Sequence, residues 1–163
     1  VEAICDHPDI KAVSFVGSTK VAKIVYKRAT SSLKRCVALG GAKNHLLVFP
    51  DANPEMTASN VVASMSGCAG QRCMAASVMV GVDKIQHIID RMVEEAKKLV
   101  PGKNLGSVIS AVAKERIENY IAEAEKDGAK ILLDGRNTTV EGKEGGFYVG
   151  PTIIDYVDRK SVV

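Results

Sequence analysis

Between residues 12 and 25 the hydrophobic period changes in mid-run, and this limits the fold more than any other feature of the chain. Ala12-Val13-Ser14-Phe15-Val16 reads as a β-strand, and after Gly17-Ser18-Thr19 the apolar positions Val21, Ile24 and Val25 fall at helical spacing. Strand, tight turn and helix in that order place the chain among alternating α/β folds. Gly17 lets the backbone turn and approach a ligand closely, Ser18 is a good N-cap, and the exposed N–H groups of the first helical turn suit an anion. The same Gly-Ser pair serves many helices for capping alone, and no G-x-G-x-x-G or P-loop sharpens a phosphate reading.

The alternation continues along the chain. Strand-like runs at 35–39 and 45–48 follow a helix over about 18–30, and a helix over about 54–66 carries Pro54 in its first turn, where proline is tolerated. Val78, Val80 and Val82 alternate with smaller residues in a strand over 77–82. An amphipathic helix over 84–99 ends at Pro101-Gly102. A further helix over about 111–126 sets Ile117, Tyr120, Ile121 and Ala124 on one face and stops at Gly128, and residues 130–133 form the next strand. The stretch from Asp134 to Gly146 is polar and glycine-rich, an exposed loop or hairpin whose charges form a solvated face. The pair Gly40-Gly41, between two apolar runs, suggests a crossing between domains or a close backbone approach to a ligand.

Gly70-Gln71-Arg72-Cys73-Met74-Ala75 is the stretch best suited to chemistry. A thiolate becomes a nucleophile beside positive charge or backbone N–H groups, where a substrate can reach it. Arg72 supplies charge, and Gly67, Ala69 and Gly70 leave room. A buried apolar filler is the competing reading of Cys73, because free cysteines usually pack that way. Cys68 lies close enough in sequence for a redox pair, although a small buried residue is the simpler reading. His7, His45 and His87 stand at no metal-ligand spacing, with His45 structural and His87 on a helix surface.

Composition excludes several functions. A net charge of +3 is too small to argue for nucleic acid or an anionic membrane, and 4% aromatic residues without tryptophan make a base-stacking platform unlike this chain. No apolar stretch is long enough to span a bilayer. Four cysteines lack zinc spacing and disulfide density, which fits a reducing compartment.

Phe15-Val16-Gly17-Ser18-Thr19, then Leu39-Gly40-Gly41-Ala42-Lys43-Asn44-His45, then Gly70-Gln71-Arg72-Cys73-Met74-Ala75 resemble, in that order, the aldehyde dehydrogenase superfamily. Gly-Ala-Lys-Asn-His and Arg72 draw the resemblance toward its coenzyme A-acylating, methylmalonate-semialdehyde branch. Leu105-Gly106-Ser107 and Gly146-Phe147-Tyr148-Val149-Gly150-Pro151-Thr152 extend it over essentially the whole chain. The resemblance implies an α/β fold in which residues 1–41 end a Rossmann-type NAD-binding domain and residues 42–163 begin the catalytic domain. It implies that Cys73 attacks an aldehyde and that Arg72 holds a substrate carboxylate. Gly17 and Ser18 would lie beside the NAD pyrophosphate, Val21 would line the adenine pocket, and Leu39 and Gly40 would lie near the nicotinamide.

Hydrolytic relatives carry a glutamate where this chain has Ala38, or Leu39 if Ala42 shifts the alignment, and neither residue can accept a proton. The resemblance therefore implies that coenzyme A, not water, resolves the thioester. The implied substrate is methylmalonate or malonate semialdehyde. The implied setting is a homo-oligomer, dimer or tetramer, of the bacterial cytoplasm or mitochondrial matrix. Because the resemblance is to an internal portion, the chain is expected to be inactive alone, with a Glu-Glu-Ile-Phe-Gly-Pro motif following Val163. A hydrolytic dehydrogenase and a non-catalytic interaction module are the alternatives.

Overall fold

The computed structural model describes residues 1–158 and 160, which divide between two compact units, Val1–Ala42 and Lys43–Val163.

The first unit runs α1 (Glu2–Asp6), β1 (Ala12–Val16), α2 (Thr19–Ser31) and β2 (Arg35–Leu39). β1 and β2 are parallel, paired in register from Ala12 opposite Arg35 to Val16 opposite Leu39, so α2 is the crossover of a βαβ unit. Alternation turns Val13, Phe15 and Cys36 toward Cys5, Val25 and Ala29, which are buried. The helical face differs from the expected one. Ala22, Val25 and Ala29 pack inward, while Val21 and Ile24 remain exposed, because small residues let the helix lie close to its sheet. The short helix α1 carries too few residues to show a period in sequence. It is fastened to α2 by Arg28, which donates to Asp6 at 2.9 and 2.6 Å and pairs with Glu2 at 3.2 Å. Buried Lys34 donates to the carbonyl oxygens of His7 and Ile10.

The second unit runs β3 (Asn44–Val48), α3 (Pro54–Ser66), β4 (Ala76–Gly81), α4 (Gln86–Ala96), α5 (Ala111–Lys126), β5 (Lys130–Leu133) and β6 (Ile153–Asp155). β3 and β4 are parallel, and β5 and β6 antiparallel. Val48 joins Ala58, Val61, Val62, Ile85, Ile88, Met92 and Ala96 in the main core, with Leu46 and Met79 packed against it. Pro54 occupies the first turn of α3 behind the N-cap Asn53, whose side chain accepts from Met56 N–H at 3.0 Å.

Several elements differ from the sequence reading. The inward residue of β4 is Met79, opposite Leu46, whereas Val80 lies opposite exposed Leu47 on the bare face. α4 is shorter than 84–99 at both ends. On α5, Ala113 and Ile121 are buried but Tyr120 is 62% exposed. The 134–146 stretch forms no strand, yet it is not simply a solvated face. Gly135 is buried against Gly150, Arg136 bridges Asp134 and Glu125, and Glu118 accepts from Asn137 N–H at 2.8 Å. β6 had no distinct signal, since Ile153-Ile154 is too short a run to register as a strand.

Candidate functional site

Cys73 sits in a turn between α3 and β4, and three polar side chains hold that turn from different directions. The turn closes with Ala75 N–H donating to Arg72 C=O at 3.1 Å. From β3, the Asn44 amide donates to the carbonyls of Cys73 at 2.7 Å and Ala75 at 3.0 Å. From α3, Ser64 Oγ accepts from Ala76 N–H at 3.1 Å. Gln71 donates to Cys68 C=O at 2.8 Å and accepts from Ile109 N–H at 2.9 Å, tying the turn to the segment before α5. The backbone of the turn and its scaffold are thereby joined at four peptide groups. Ser64 passed unremarked in the sequence, and Asn44 and Gln71 were read only as parts of motifs, because contacts across twelve or more residues leave no periodic trace.

Approach to the turn is unusual. Cys68 (φ 52°), Ala69 (φ 54°) and Gly70 (φ 75°) all adopt left-handed backbone, a conformation that costs non-glycine residues about 1–2 kcal/mol each. Cys68 and Cys73 are both free and exposed, which overturns the readings of Cys68 as a small buried residue and of Cys73 as a buried filler. The room expected at Gly67 is taken: a Cβ there would meet the Arg72 guanidinium at 1.9–2.4 Å. Glycine at 67 is what allows Arg72 to fold back beside the turn. Among the described residues Arg72 has no carboxylate partner, so its planar fork is free for one. A cavity of about 350 Å³, lined by Met65, Ala75, Met79, Met92, Val149 and Ile153 among others, lies under the turn, and neither Cys73 nor Arg72 lines it.

In the first unit, Gly17, Ser18, Leu39 and Gly40 gather at the carboxyl end of the two parallel strands. Gly17 N–H donates to Leu39 C=O at 3.1 Å, and Gly41 N–H donates to Thr19 Oγ1 at 3.0 Å. A Cβ on Gly40 would lie 2.6 Å from Thr19 Oγ1 and 3.0 Å from its Cα, so the close approach of the glycine pair is to Thr19. Ser18 caps α2 by accepting from Val21 N–H at 3.4 Å. Among the described residues the N–H groups of Thr19 and Lys20 have no acceptor, and they open the helix toward an anion. Val21 presents an exposed apolar side chain one turn on. This donor set fits a dinucleotide phosphate at the carboxyl end of parallel strands. His45 and His87 are exposed, and no group of His, Cys, Asp or Glu among the described residues could hold a metal.

A parallel crossover unit with an open helix N-terminus in the first unit and an exposed cysteine on a braced turn in the second mark this as an α/β chain. The family model "Aldehyde dehydrogenase family" matches residues 1–163, and the chain belongs to that family. Methylmalonate-semialdehyde/malonate-semialdehyde dehydrogenase [acylating], mitochondrial, of Homo sapiens is 49% identical over 96% of the chain, and that of Bos taurus 48% over the same share. The chain spans 30% of the length of each. Among solved structures, methylmalonate-semialdehyde dehydrogenase from Oceanimonas doudoroffii superposes with a TM-score of 0.88 at 40% identity, covering 96% of this chain and 34% of that one. A putative methylmalonate-semialdehyde dehydrogenase from Sinorhizobium meliloti 1021, complexed with NAD, gives 0.85 at 38% identity, covering 94% and 33%. The fold is that of the aldehyde dehydrogenases, mixed α/β.

Proposed function

We propose that this chain carries the nucleophile and part of the NAD site of a coenzyme A-acylating dehydrogenase acting on methylmalonate or malonate semialdehyde. In this reading residues 1–41 end the NAD-binding domain and residues 42–163 begin the catalytic domain. One observation carries the reading: Cys73 is exposed on a turn braced by the Asn44, Ser64 and Gln71 side chains, directly after an arginine without a carboxylate partner among the described residues. The family and the acylating relatives support it.

Cys73, as thiolate, forms a C–S bond to the aldehyde carbonyl carbon, and the carbonyl oxygen takes a proton to give a thiohemiacetal. Arg72 holds the substrate carboxylate by a bidentate pair, which fixes the aldehyde over the sulfur. NAD, when bound, supplies the hydride acceptor. Gly17, Ser18 and the N–H groups of Thr19 and Lys20 would hold its pyrophosphate, Val21 would border the adenine, and the Leu39-Gly40 backbone would border the nicotinamide. Loss of hydride and of the hydroxyl proton leaves a thioester on Cys73. Ala38, half-buried on β2, has no carboxylate to activate water. The thiol of coenzyme A therefore attacks the thioester, and the bond to Cys73 breaks as the new C–S bond forms. The products are propionyl-CoA or acetyl-CoA. The acyl group of each has one carbon fewer than its semialdehyde, so the bond to the carboxylate breaks, carbon dioxide leaves, and the α-carbon, whose electron pair the thioester carbonyl stabilises, takes a proton in its place.

A homo-oligomeric protein of the mitochondrial matrix or bacterial cytoplasm suits this chemistry, and mitochondrial relatives support the former. No helix among the described residues is long and apolar enough to cross a membrane.

The test is formation of reduced nicotinamide by the complete gene product with methylmalonate semialdehyde and NAD, with and without coenzyme A. Turnover that requires coenzyme A is expected. Equal turnover without it would assign the thioester to water and place the protein among the hydrolytic dehydrogenases, while no turnover, with Cys73 alkylating no faster than the other cysteines, would leave a non-catalytic interaction module.

A further inference from the structure

We propose that Asn44 is a positioning residue for the Cys73 nucleophile, an inference that rests on the reading of Cys73 given above. The argument begins with strand register. Asn44 pairs with Ala76, but the next residue, His45, pairs with Val78, so Ser77 is the extra residue of a β-bulge. Ser77 Oγ donates back to Asn44 C=O at 3.4 Å and keeps the bulge closed. Alternation along β3 puts Asn44 on the same side as Leu46 and Val48, the covered side, where its amide reaches the turn that precedes β4.

Both amide protons are used. One goes to Cys73 C=O at 2.7 Å and the other to Ala75 C=O at 3.0 Å, so the side chain clamps the two carbonyls that flank Met74. Two carbonyl acceptors leave only one orientation for the amide, since its oxygen could satisfy neither. The clamp fixes the Cys73–Met74 and Ala75–Ala76 peptide planes, and Met74 between them is itself 83% exposed and contributes no packing that could do so. Without it the Cys73 carbonyl would lose its side-chain donor, while Ser64 and Gln71 hold only Ala76 and the approach to the turn, and the direction of the Cys73 side chain would spread. Asn44 touches neither substrate nor the sulfur. It acts by narrowing where the sulfur can be.

The decisive experiment compares Asn44→Ala and Asn44→Gln with the unaltered complete gene product. The readouts are melting temperature, the rate and pH profile of Cys73 alkylation by iodoacetamide followed by peptide mass spectrometry, kcat, and the KM values for methylmalonate semialdehyde and NAD. Asn44→Ala removes both donors without adding charge. It is expected to slow alkylation and lower kcat by about tenfold or more, since a small misplacement of a reacting group carries costs of this size. The KM for NAD should stay within about twofold. Asn44→Gln keeps the amide on a longer stem and should recover part of the loss. A residue that only supported the fold would lower the melting temperature and leave the alkylation rate of the folded protein unchanged. That result would overturn the proposal. If Asn44→Ala is unfolded at the assay temperature, Asn44→Gln is judged by the same criterion. Full turnover by Cys73→Ser would overturn the nucleophile assignment itself, and the Asn44 proposal with it. An inert Cys73→Ser beside an unaffected Asn44→Ala would overturn the Asn44 proposal alone.

Discussion

At the scale of single residues, the approach to Cys73 stores backbone strain in a place that sequence patterns do not reveal. Ala69 takes a left-handed conformation with no side-chain hydrogen bond to favour it. Ala69→Gly is therefore expected to raise stability by about 1 kcal/mol, read as a higher midpoint in chemical denaturation, because glycine adopts that region without the Cβ penalty. A lower midpoint would mean that the gain in unfolded-chain entropy outweighs the relief. Ala38 offers a chemical counterpart. Ala38→Glu places a carboxylate where the proposed function has none to activate water and should raise release of free acid in the absence of coenzyme A, measured by product analysis. An unchanged coenzyme A requirement would count against the proposed resolution of the thioester. Cys73, Arg72, Gly17 and Ser18 were legible as residues suited to chemistry because reactive types and backbone-permissive types stand together in short motifs. Asn44, Ser64 and Gln71 were not legible as supports, since each acts on a peptide group far away in sequence.

Among the elements, β1, α2, β2, β3, α3, α5 and β5 were readable because each has a strong period or a clear end signal. Ser18, Asn53 and Ser110 cap α2, α3 and α5 by accepting from backbone N–H groups. α1 and β6 were missed because five and three residues are too few to carry a period. Which face packs was the harder question. On β4 the larger, flexible Met79 went inward instead of the valines, and on α5 Tyr120 stayed outside while Ala113 went in. The segment after β5 also looks looser in sequence than it is. Arg136 donates to both Asp134 carboxylate oxygens at 3.0 Å through Nε and pairs with Glu125 at 2.8 Å. The Arg136 hydrogen bonds hold the Asp134 carboxyl below the ordinary carboxylate range. A carboxyl that titrates lower in the folded than in the unfolded chain contributes stability above its unfolded pKa and loses it as pH falls through the folded one. Asp134→Asn should therefore flatten the acid limb of stability from the ordinary carboxylate range downward, where the folded and unfolded chains differ in protonation at this group. Denaturation midpoints of the two proteins across that window check the prediction, and parallel curves would refute it.

For the whole molecule, the decisive property is that two parallel strand pairs each have one bare face. On β1 and β2, Val16, Val37 and Leu39 point away from the side covered by α2, and Leu39 is 56% exposed. On β3 and β4, Leu47, 62% exposed, and Val80 do the same. Parallel strands normally occur in sheets covered on both faces, and apolar patches left open on a strand pair invite pairing with other chains. The relatives carry about two-thirds of their length outside the matched portion, which leaves ample chain to cover such faces in them. The 163-residue chain on its own is therefore expected to self-associate as its concentration rises and to bind a dye specific for exposed apolar surface. Sedimentation velocity across a concentration series reads the first, and dye fluorescence the second. Replacing Val37 and Leu47 together by lysine should reduce both signals, because charge on an open strand face opposes association without removing any residue of the buried clusters. A single monomeric species with no dye binding would show that these faces need no cover. The same chain, tested for reduction of NAD with a semialdehyde and coenzyme A, should show no turnover, because it spans only 30% of the length of the acylating relatives.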